Sequence, residues 1–513
     1  MGAGQPDRGS ARRAPALLRD ASQYVGATYV GQIGSFAVGL VTKGLLGPAN
    51  VGIWSLFNIL LGYLAAAQVG AGDAIAKEVP YLREKGDLGR ARRLIRAMLG
   101  FVLSGSALVG AVVVVLALAV HGLEPAYRVG LLVIGASFPV WMLQNMEIVV
   151  LRSAKRFDVL SRQLVLQLAI TALVAIPLIW RFSIYGQYAA FVVALAGVLA
   201  YLHRAVHRHR AVHPEAGAQV RPSLDWEATR HLLGIGLPLQ ISNLVFMVQT
   251  TADSLLAARL LGITALGYYS IAVTVKGYVY QTPDAFSVVM FPRFQEKFAA
   301  ARDDPAALRQ YVETPIRGFA FLVLPTLIGA SWQVVPFLVH HFLPAFNPAV
   351  PAIKILLVGT FFASLWHMPL RFLIAVNKLW HGVIIATLNA ILVIIGVLVA
   401  TTWHTSVEAV AVGTSVAYAV ALLGTTAYVE SHFRSVRGVM RFLMEIVAAA
   451  AVLFTALAAA DRWIPEASSL GPDIVRVLLR SAAVLVPGAL VFWWADRSLN
   501  LRQYFAFRPA GNK

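Results

Sequence analysis

The feature that most limits what this chain can become is a recurrence of apolar blocks, each roughly 18–25 residues long, through almost its whole length. A helix of that length crosses the roughly 30 Å hydrocarbon layer of a bilayer. Barrel strands would instead alternate apolar and polar residues in short segments, and this chain does not. Composition agrees. Of 513 residues, 58% are hydrophobic and 13% charged, against about 25% charged in soluble proteins. A soluble chain this long needs a hydrated surface on each of several domains, and there are too few charges to coat one. The expected class is an all-α polytopic membrane protein. The absence of cysteine removes disulfides, thiolate metal sites and cysteine nucleophiles.

Fourteen spans are expected: 22–46, 51–72, 97–120, 129–151, 160–180, 186–202, 232–258, 264–290, 315–339, 353–376, 382–402, 408–429, 442–460 and 477–494. The first follows Arg8, Arg12, Arg13 and Arg19, and its apolar core is too long for a cleavable signal, so it reads as a retained span. With both termini in the cytoplasm, 34 of the 43 lysines and arginines fall in inner segments. The exceptions are Lys43, Arg128, Arg181, Arg259, Lys276, Lys354, Arg462, Arg476 and Arg480. That asymmetry is the positive-inside rule acting on short loops. It also disposes of nucleic acid as the partner of a chain with net charge +18, because the charge is dispersed between spans.

The chain repeats itself. Leu45-Leu46-Gly47-Pro48-Ala49-Asn50-Val51-Gly52-Ile53-Trp54-Ser55 returns as Leu260-Leu261-Gly262-Ile263-Thr264-Ala265-Leu266-Gly267-Tyr268-Tyr269-Ser270. One span after each copy come a proline and a basic inner loop, at Pro80 to Lys85 and at Pro292 to Lys297. Six spans separate the copies, so the halves share one orientation and form parallel repeats, a plan used by alternating-access transporters. The expected organisation is a cytoplasmic tail (1–21), an N-lobe (22–202), a basic inter-lobe loop (203–231) and a C-lobe (232–441). Spans thirteen and fourteen and a cytoplasmic tail (442–513) complete it.

Further motifs follow in order: Arg83-Glu84-Lys85-Gly86-Asp87 in the first inner loop, Gly236-Leu237-Pro238 opening the seventh span, and Thr251-Ala252-Asp253-Ser254 with Arg259-Leu260-Leu261-Gly262 closing it. Phe342-Leu343-Pro344-Ala345-Phe346-Asn347-Pro348-Ala349 precedes the tenth. With the repeat, they make the chain resemble the polysaccharide (O-antigen, capsule, exopolysaccharide) flippases of the multidrug/oligosaccharidyl-lipid/polysaccharide exporter superfamily. The resemblance implies two six-helix lobes around a central cavity, with two additional C-terminal helices. It also implies outward movement of undecaprenyl-pyrophosphate-linked oligosaccharide across the bacterial cytoplasmic (inner) membrane.

Polar side chains at bilayer depth are costly and face a bundle interior or a water-filled cavity. Four spans carry them at helical spacing: Thr28, Gln32, Ser35 and Thr42 in the first, and Asn243, Thr250 and Ser254 in the seventh. Tyr269, Lys276, Tyr280 and Asp284 lie in the eighth, and Thr360, Ser364, His367 and Arg371 in the tenth. A lipid-linked sugar pyrophosphate needs a cation for its phosphates and hydroxyl or amide groups for its sugar. Lys276 is the first candidate for the cation, then Arg371, Lys43 and Arg259. The last two sit near span ends, where snorkelling to headgroups accounts for them equally well. The tyrosines fit an interfacial belt as well as a cavity.

Aligning the halves at Leu132-Val133-Ile134-Gly135 and Leu356-Leu357-Val358-Gly359 puts Glu147 opposite Arg371, a candidate cytoplasmic-side gate. Separate hydration of the two is the competing reading. Asp253, Asp284 and Glu147 are the candidates for coupling to Na⁺ or H⁺, with simple pairing to a neighbouring base as the alternative. The tract His203-Arg204-Ala205-Val206-His207-Arg208-His209-Arg210-Ala211-Val212-His213 has histidines at chelating spacing, but its arginines would repel a metal. It reads as a basic linker against anionic membrane lipids, and no metal site is expected.

Three classes compete: a lipid-linked oligosaccharide flippase, with a peptidoglycan-precursor flippase as a variant; an ion-coupled small-molecule exporter; and a membrane polysaccharide polymerase or ligase. Exporters of the second class resemble twelve-span proteins with acidic cavities, whereas this chain has fourteen spans and basic candidates. The third class is disfavoured by short outer loops, of which 340–352 and 461–476 are the longest. No Gly-rich phosphate loop or compact carboxylate pair is present, so no catalytic residue, ATP site or cofactor is expected. A monomer is expected, with other polysaccharide assembly proteins as further partners.

Overall fold

The computed structural model describes residues 8–154, 156–208, 222–301, 305–375, 378–431, 433–464 and 469–483. Among them all regular structure is helical, as the apolar blocks require. The first two expected spans form one element, α1 (Arg8–Leu64), broken at Gly47, where φ is 71° and ψ is 168°. The seventh and eighth are α7 (Trp226–Leu261) and α8 (Ile263–Ala301), and the residue between them, Gly262, has φ 93°. Glycine is the residue that enters this left-handed region without a Cβ clash. Gly47 and Gly262 are the equivalent positions of the two repeat copies, so the duplication extends from sequence to backbone conformation.

Between them run α2 (Ala71–Glu84), α3 (Leu88–Ala119), α4 (Pro125–Ser153), α5 (Phe157–Ile170) and α6 (Ile176–Arg208). The first inner segment, expected as a loop over 73–96, is instead mostly helix. Ala71, Ala74, Ile75, Val79 and Leu82 recur on one buried face of α2 while Lys77, Glu84 and Lys85 stay exposed. The Arg83-Glu84-Lys85-Gly86-Asp87 motif is the turn out of α2. Asp87 caps α3 by accepting from the Arg90 backbone N–H at 3.0 Å. α5 passes into α6 through a widened helical turn at Thr171–Ala175. α6 is itself broken at Ser183, between the fifth and sixth expected spans. Asn50 links the breaks at Gly47 and Ser183, donating to Ser183 Oγ at 3.2 Å and to the Leu46 carbonyl at 3.0 Å.

The second half continues through α9 (Pro305–Gly318), α10 (Leu324–Phe342), α11 (Val350–Ala375), α12 (Leu379–Trp403), α13 (Val407–Glu430) and α14 (Val436–Trp463). The chain packs as two compact units, Met1–Leu244 and Val245–Lys513, so α7 gives its first half to one and its second half to the other. In the second unit α11 is the central helix, packed on both α8 and α13. Trp366 of α11 is fully buried and donates its indole N–H to Thr425 Oγ1 at 2.9 Å. Among the described residues ten segments are long and apolar enough to cross a membrane; 157–205 contains two expected spans and 34–68 takes in parts of two. Together the ten take in spans one to seven and nine to thirteen. The eighth is α8, and the fourteenth is described only to residue 483.

α14 is held to the second unit at both ends. At one end Asp461 accepts from Trp332 Nε1 at 2.8 Å and Gln333 Nε2 at 3.3 Å, and pairs with Lys354 Nζ at 2.6 Å. At the other, Glu445 meets Arg317 at 2.9 Å, and Arg317 and Arg434 both bind Glu313, at 3.2 and 2.6 Å.

Candidate functional site

Four of the expected polar positions converge inside the second unit. Asp253, on the second half of α7 about two turns before its end, is completely buried. Its Oδ2 accepts from Lys276 Nζ of α8 at 3.1 Å and from the Tyr269 hydroxyl of the same helix at 2.9 Å. Its Oδ1 accepts from the Ser254 backbone N–H at 2.7 Å, and the Ser254 hydroxyl lies 3.2 Å away. Lys276 donates a second bond to Tyr418 Oη of α13 at 3.2 Å, and Thr414 Oγ1 lies 3.4 Å from the Tyr269 oxygen. Two charges removed from water are tolerable when each neutralises the other and their remaining valences find polar partners. This cluster meets both conditions.

Tyr269 and Lys276 are seven residues apart, two turns of one helix, which is why their side chains reach the same carboxylate. Tyr280 continues that face but meets a different partner, His367 of α11, with ring centroids 4.2 Å apart. Thr360 is buried on α11 and returns its hydroxyl to the Leu356 carbonyl at 2.7 Å. The buried Ser364 hydroxyl has no hydrogen-bond partner among the described residues. Thr414, Tyr418 and Thr425 were not singled out from sequence. Their spacing of four and seven is the same helical stripe signal, lying in the twelfth span.

The remaining candidates lie elsewhere. Thr250 bonds back to the Phe246 carbonyl at 3.0 Å, and Arg259 is exposed in the last turn of α7. Gln32, Thr42 and Lys43 are half-buried along α1, and Ser35 is exposed. Glu147 is buried and bonds to His203 Nδ1 at 3.1 Å, within the first unit. The side chains of Thr28, Asp284 and Arg371 lie outside the described residues, so the Glu147–Arg371 gate has one described member.

A second polar group lies in the first unit, where the beginning of α7 meets α2 and α3. Gly70 and Gly236 meet backbone to backbone, so closely that a Cβ on Gly70 would sit 2.1 Å from the Gly236 oxygen. Asn243 donates to Asp73 Oδ2 at 2.9 Å, and His231 lies 3.5 Å from Glu78. Arg93 of α3 donates to Asp225 Oδ1 at 3.2 Å and to Glu227 at 2.7 Å. The Arg93 guanidinium, followed by the Ala228 backbone N–H, holds the Asp225 carboxyl below its usual range. Asn243 was expected as a sugar contact. In this arrangement its amide serves the contact between α7 and α2.

The family model described as "Polysaccharide biosynthesis protein" matches residues 94–351. In fold the chain is similar to an inward-facing multidrug resistance MATE family transporter of the MOP superfamily. The TM-score is 0.63 at 14% identity, covering 82% of this chain and 95% of that one. It is similar also to the lipid II flippase MurJ in an inward closed conformation, with a TM-score of 0.61 at 15% identity over 93% of this chain and 99% of the other. A third likeness is to the Vibrio cholerae MATE transporter VcmN in its bent form, at TM-score 0.54 and 14% identity, covering 85% and 99%. At these identities the likeness is one of fold. No curated protein matches the chain.

Proposed function

Because the chain belongs to the polysaccharide biosynthesis protein family, we propose that it is a flippase carrying undecaprenyl-pyrophosphate-linked oligosaccharide from the inner to the outer leaflet. In this reading it works by alternating access in the bacterial cytoplasmic membrane, with both termini in the cytoplasm. The observation that carries the reading is the ammonium of Lys276, held at membrane depth by Asp253 in a helical fold like that of a lipid II flippase. Ionisable groups at membrane depth are costly and by default mark a functional site.

In the described arrangement Lys276 is already neutralised. An arriving phosphate must therefore displace Asp253 from it, or Asp253 must first lose its charge to a proton or its hold to another cation. Either route makes Asp253 the element through which ion coupling would act and Lys276 the phosphate anchor. Arg371, Lys43 and Arg259 are secondary cations, and His367 and Tyr280 are sugar contacts. The reading requires no catalytic residue.

Deleting the gene in its host and analysing lipid-linked intermediates tests the reading. The expected result is an undecaprenyl-linked oligosaccharide accumulating on the inner leaflet with surface polymer lost, restored by the wild-type chain. Normal polymer with altered drug sensitivity would replace the flippase by a small-molecule exporter, like the multidrug resistance MATE transporter that the fold resembles.

A further inference from the structure

Glu147 of α4 is a buried carboxyl group that the proposed function leaves unused. Only 9% of the residue is exposed. Its Oε1 lies 3.1 Å from His203 Nδ1 of α6, while its Oε2 is closed to solvent and has no hydrogen-bond partner among the described residues. His203 opens the histidine–arginine tract read from sequence as a basic linker. It belongs instead to the last turns of α6, and its side chain is 57% exposed. One imidazole therefore meets an enclosed carboxyl and water at once.

Depth along the helices fits that position. The expected spans put Glu147 about 6 Å inside the end of the fourth and His203 just beyond the end of the sixth. Between Glu147 and that end, Leu151 belongs to an apolar cluster with Val159, Leu160, Val198 and Leu202. The other charges on the helices packed against α4 are committed or turned to solvent. On α2 Glu78 meets His231, and Lys77 is exposed. On α3 Arg93 holds Asp225 and Glu227, and Arg92 and Arg96 are exposed. On α5 Arg156 holds Asp158, and Arg162 is exposed, as are Arg152 of α4 and Arg204 of α6. The Tyr201 hydroxyl of α6 turns to the Val159 carbonyl at 3.4 Å, and Tyr63 of α1 is half-buried. Among the described residues the ion-pair partner of Glu147 is His203.

An ionised Glu147 would leave Oε2 charged with neither donor nor water, a costly state. A proton held between Oε1 and Nδ1 removes that charge. A metal ion would need several oxygens and room around them, and among the described residues no three His, Asp or Glu side chains are gathered to hold one. We propose that Glu147 is a proton-binding site of the first unit, and that His203 exchanges its proton with the water on the side where α4 and α6 end. In that exchange His203 accepts the carboxyl proton on Nδ1 and returns one to water, leaving Glu147 ionised and the imidazole neutral as it began. Reloading reverses the path. The site is separate from Asp253. It rests on the membrane reading of α4 and α6 and is independent of the transported substrate.

Infrared difference spectroscopy of the purified full-length chain in lipid bilayers tests the site, with Glu147→Gln as the subtracted reference. Glutamine keeps a hydrogen bond to His203 within reach, and matched elution and thermal unfolding check that the fold survives. Wild type should show a protonated-carboxyl C=O band at pH 7 that Glu147→Gln lacks and that fades as pH is raised. In heavy water that band should shift promptly in wild type. In His203→Phe, a change at an exposed side chain, the band should persist and shift at least about tenfold more slowly. A difference spectrum with no carboxyl band at pH 7 means an ionised Glu147 in a fixed pair and overturns the proton site. Equal exchange in His203→Phe and wild type overturns the part given to His203.

Discussion

Lys276 Nζ lies 3.1 Å from Asp253 Oδ2, so the leading candidate for a phosphate anchor and a candidate for ion coupling form one buried ion pair. Removing one partner leaves a charge at membrane depth with nothing opposite it, at a cost of about 3–5 kcal/mol. Lys276→Met and Asp253→Asn should each lower stability in detergent, because each leaves the other member's buried charge without its counter-ion. Combining Asp253→Asn with Lys276→Met should recover most of that stability and none of the transport. Thermal unfolding and complementation of a deletion strain separate the two effects. A Lys276→Met chain that is stable and fully active would remove the pair from the mechanism.

The two tyrosines at that pair should not behave alike. The Tyr269 hydroxyl is shared by Asp253 and Thr414 in a fully buried position, and its loss in Tyr269→Phe takes a donor from the carboxylate, about 1–3 kcal/mol. Tyr418 accepts from a lysine that keeps its bond to Asp253, so Tyr418→Phe should cost about 1 kcal/mol or less. Denaturant unfolding of both variants in one detergent checks the order. Equal losses would mean that the lysine depends on Tyr418 as much as on Asp253.

Block length and repeat spelling were enough to read the all-helical membrane class, and the left-handed Gly47 and Gly262 give that repeat a physical basis. α2 escaped that reading because half of its turns are charged and its helical signal is amphipathic rather than apolar. Stripe spacing put Tyr269 and Lys276 on one helix face, but spacing is a property of a single helix and cannot name what faces it. Tyr418 lies 142 residues from Lys276 in sequence, and Asp461 lies 107 from Lys354. Such pairings are decided by packing. For the same reason Glu147 acquires His203 as its partner, which no alignment of the halves suggested.

The contact of α2 and α3 with the start of α7 is held by the backbones of Gly70 and Gly236, the Asn243–Asp73 bond and the Arg93–Asp225 pair. If transport requires these elements to separate, a cross-link between Asp73→Cys and Asn243→Cys should form in membranes and stop transport, with reduction restoring it. Persistent transport in the cross-linked chain would make the contact a fixed joint. The Asp225 carboxyl is depressed by Arg93, so its contribution is present above the unfolded value near pH ~3.9 and is lost as pH falls through the lower folded value. Thermal stability of the wild-type chain should accordingly keep this contribution level through neutral pH, and Asp225→Asn should reproduce at pH 7 the loosening that acid causes.

Asp461 gathers Trp332, Gln333 and Lys354 onto one side chain near the end of α14, while Glu445 near its start reaches Arg317. A helix fastened at both ends moves with the unit it is fastened to. Asp461→Ala removes the acceptor for three donors and leaves Lys354 without its counter-ion, an expected loss of about 1.5–3 kcal/mol. The loss should be local, because the Glu445–Arg317–Glu313–Arg434 chain at the other end is untouched. Hydrogen exchange should therefore quicken in the last turns of α14 and the first of α11, and stay unchanged around Phe442. Glu445→Gln should give the mirror pattern, with faster exchange at the start of α14 and none at its end. Uniform acceleration along α14 in either variant would mean that the helix is held by its apolar face instead, with the charges following the packing.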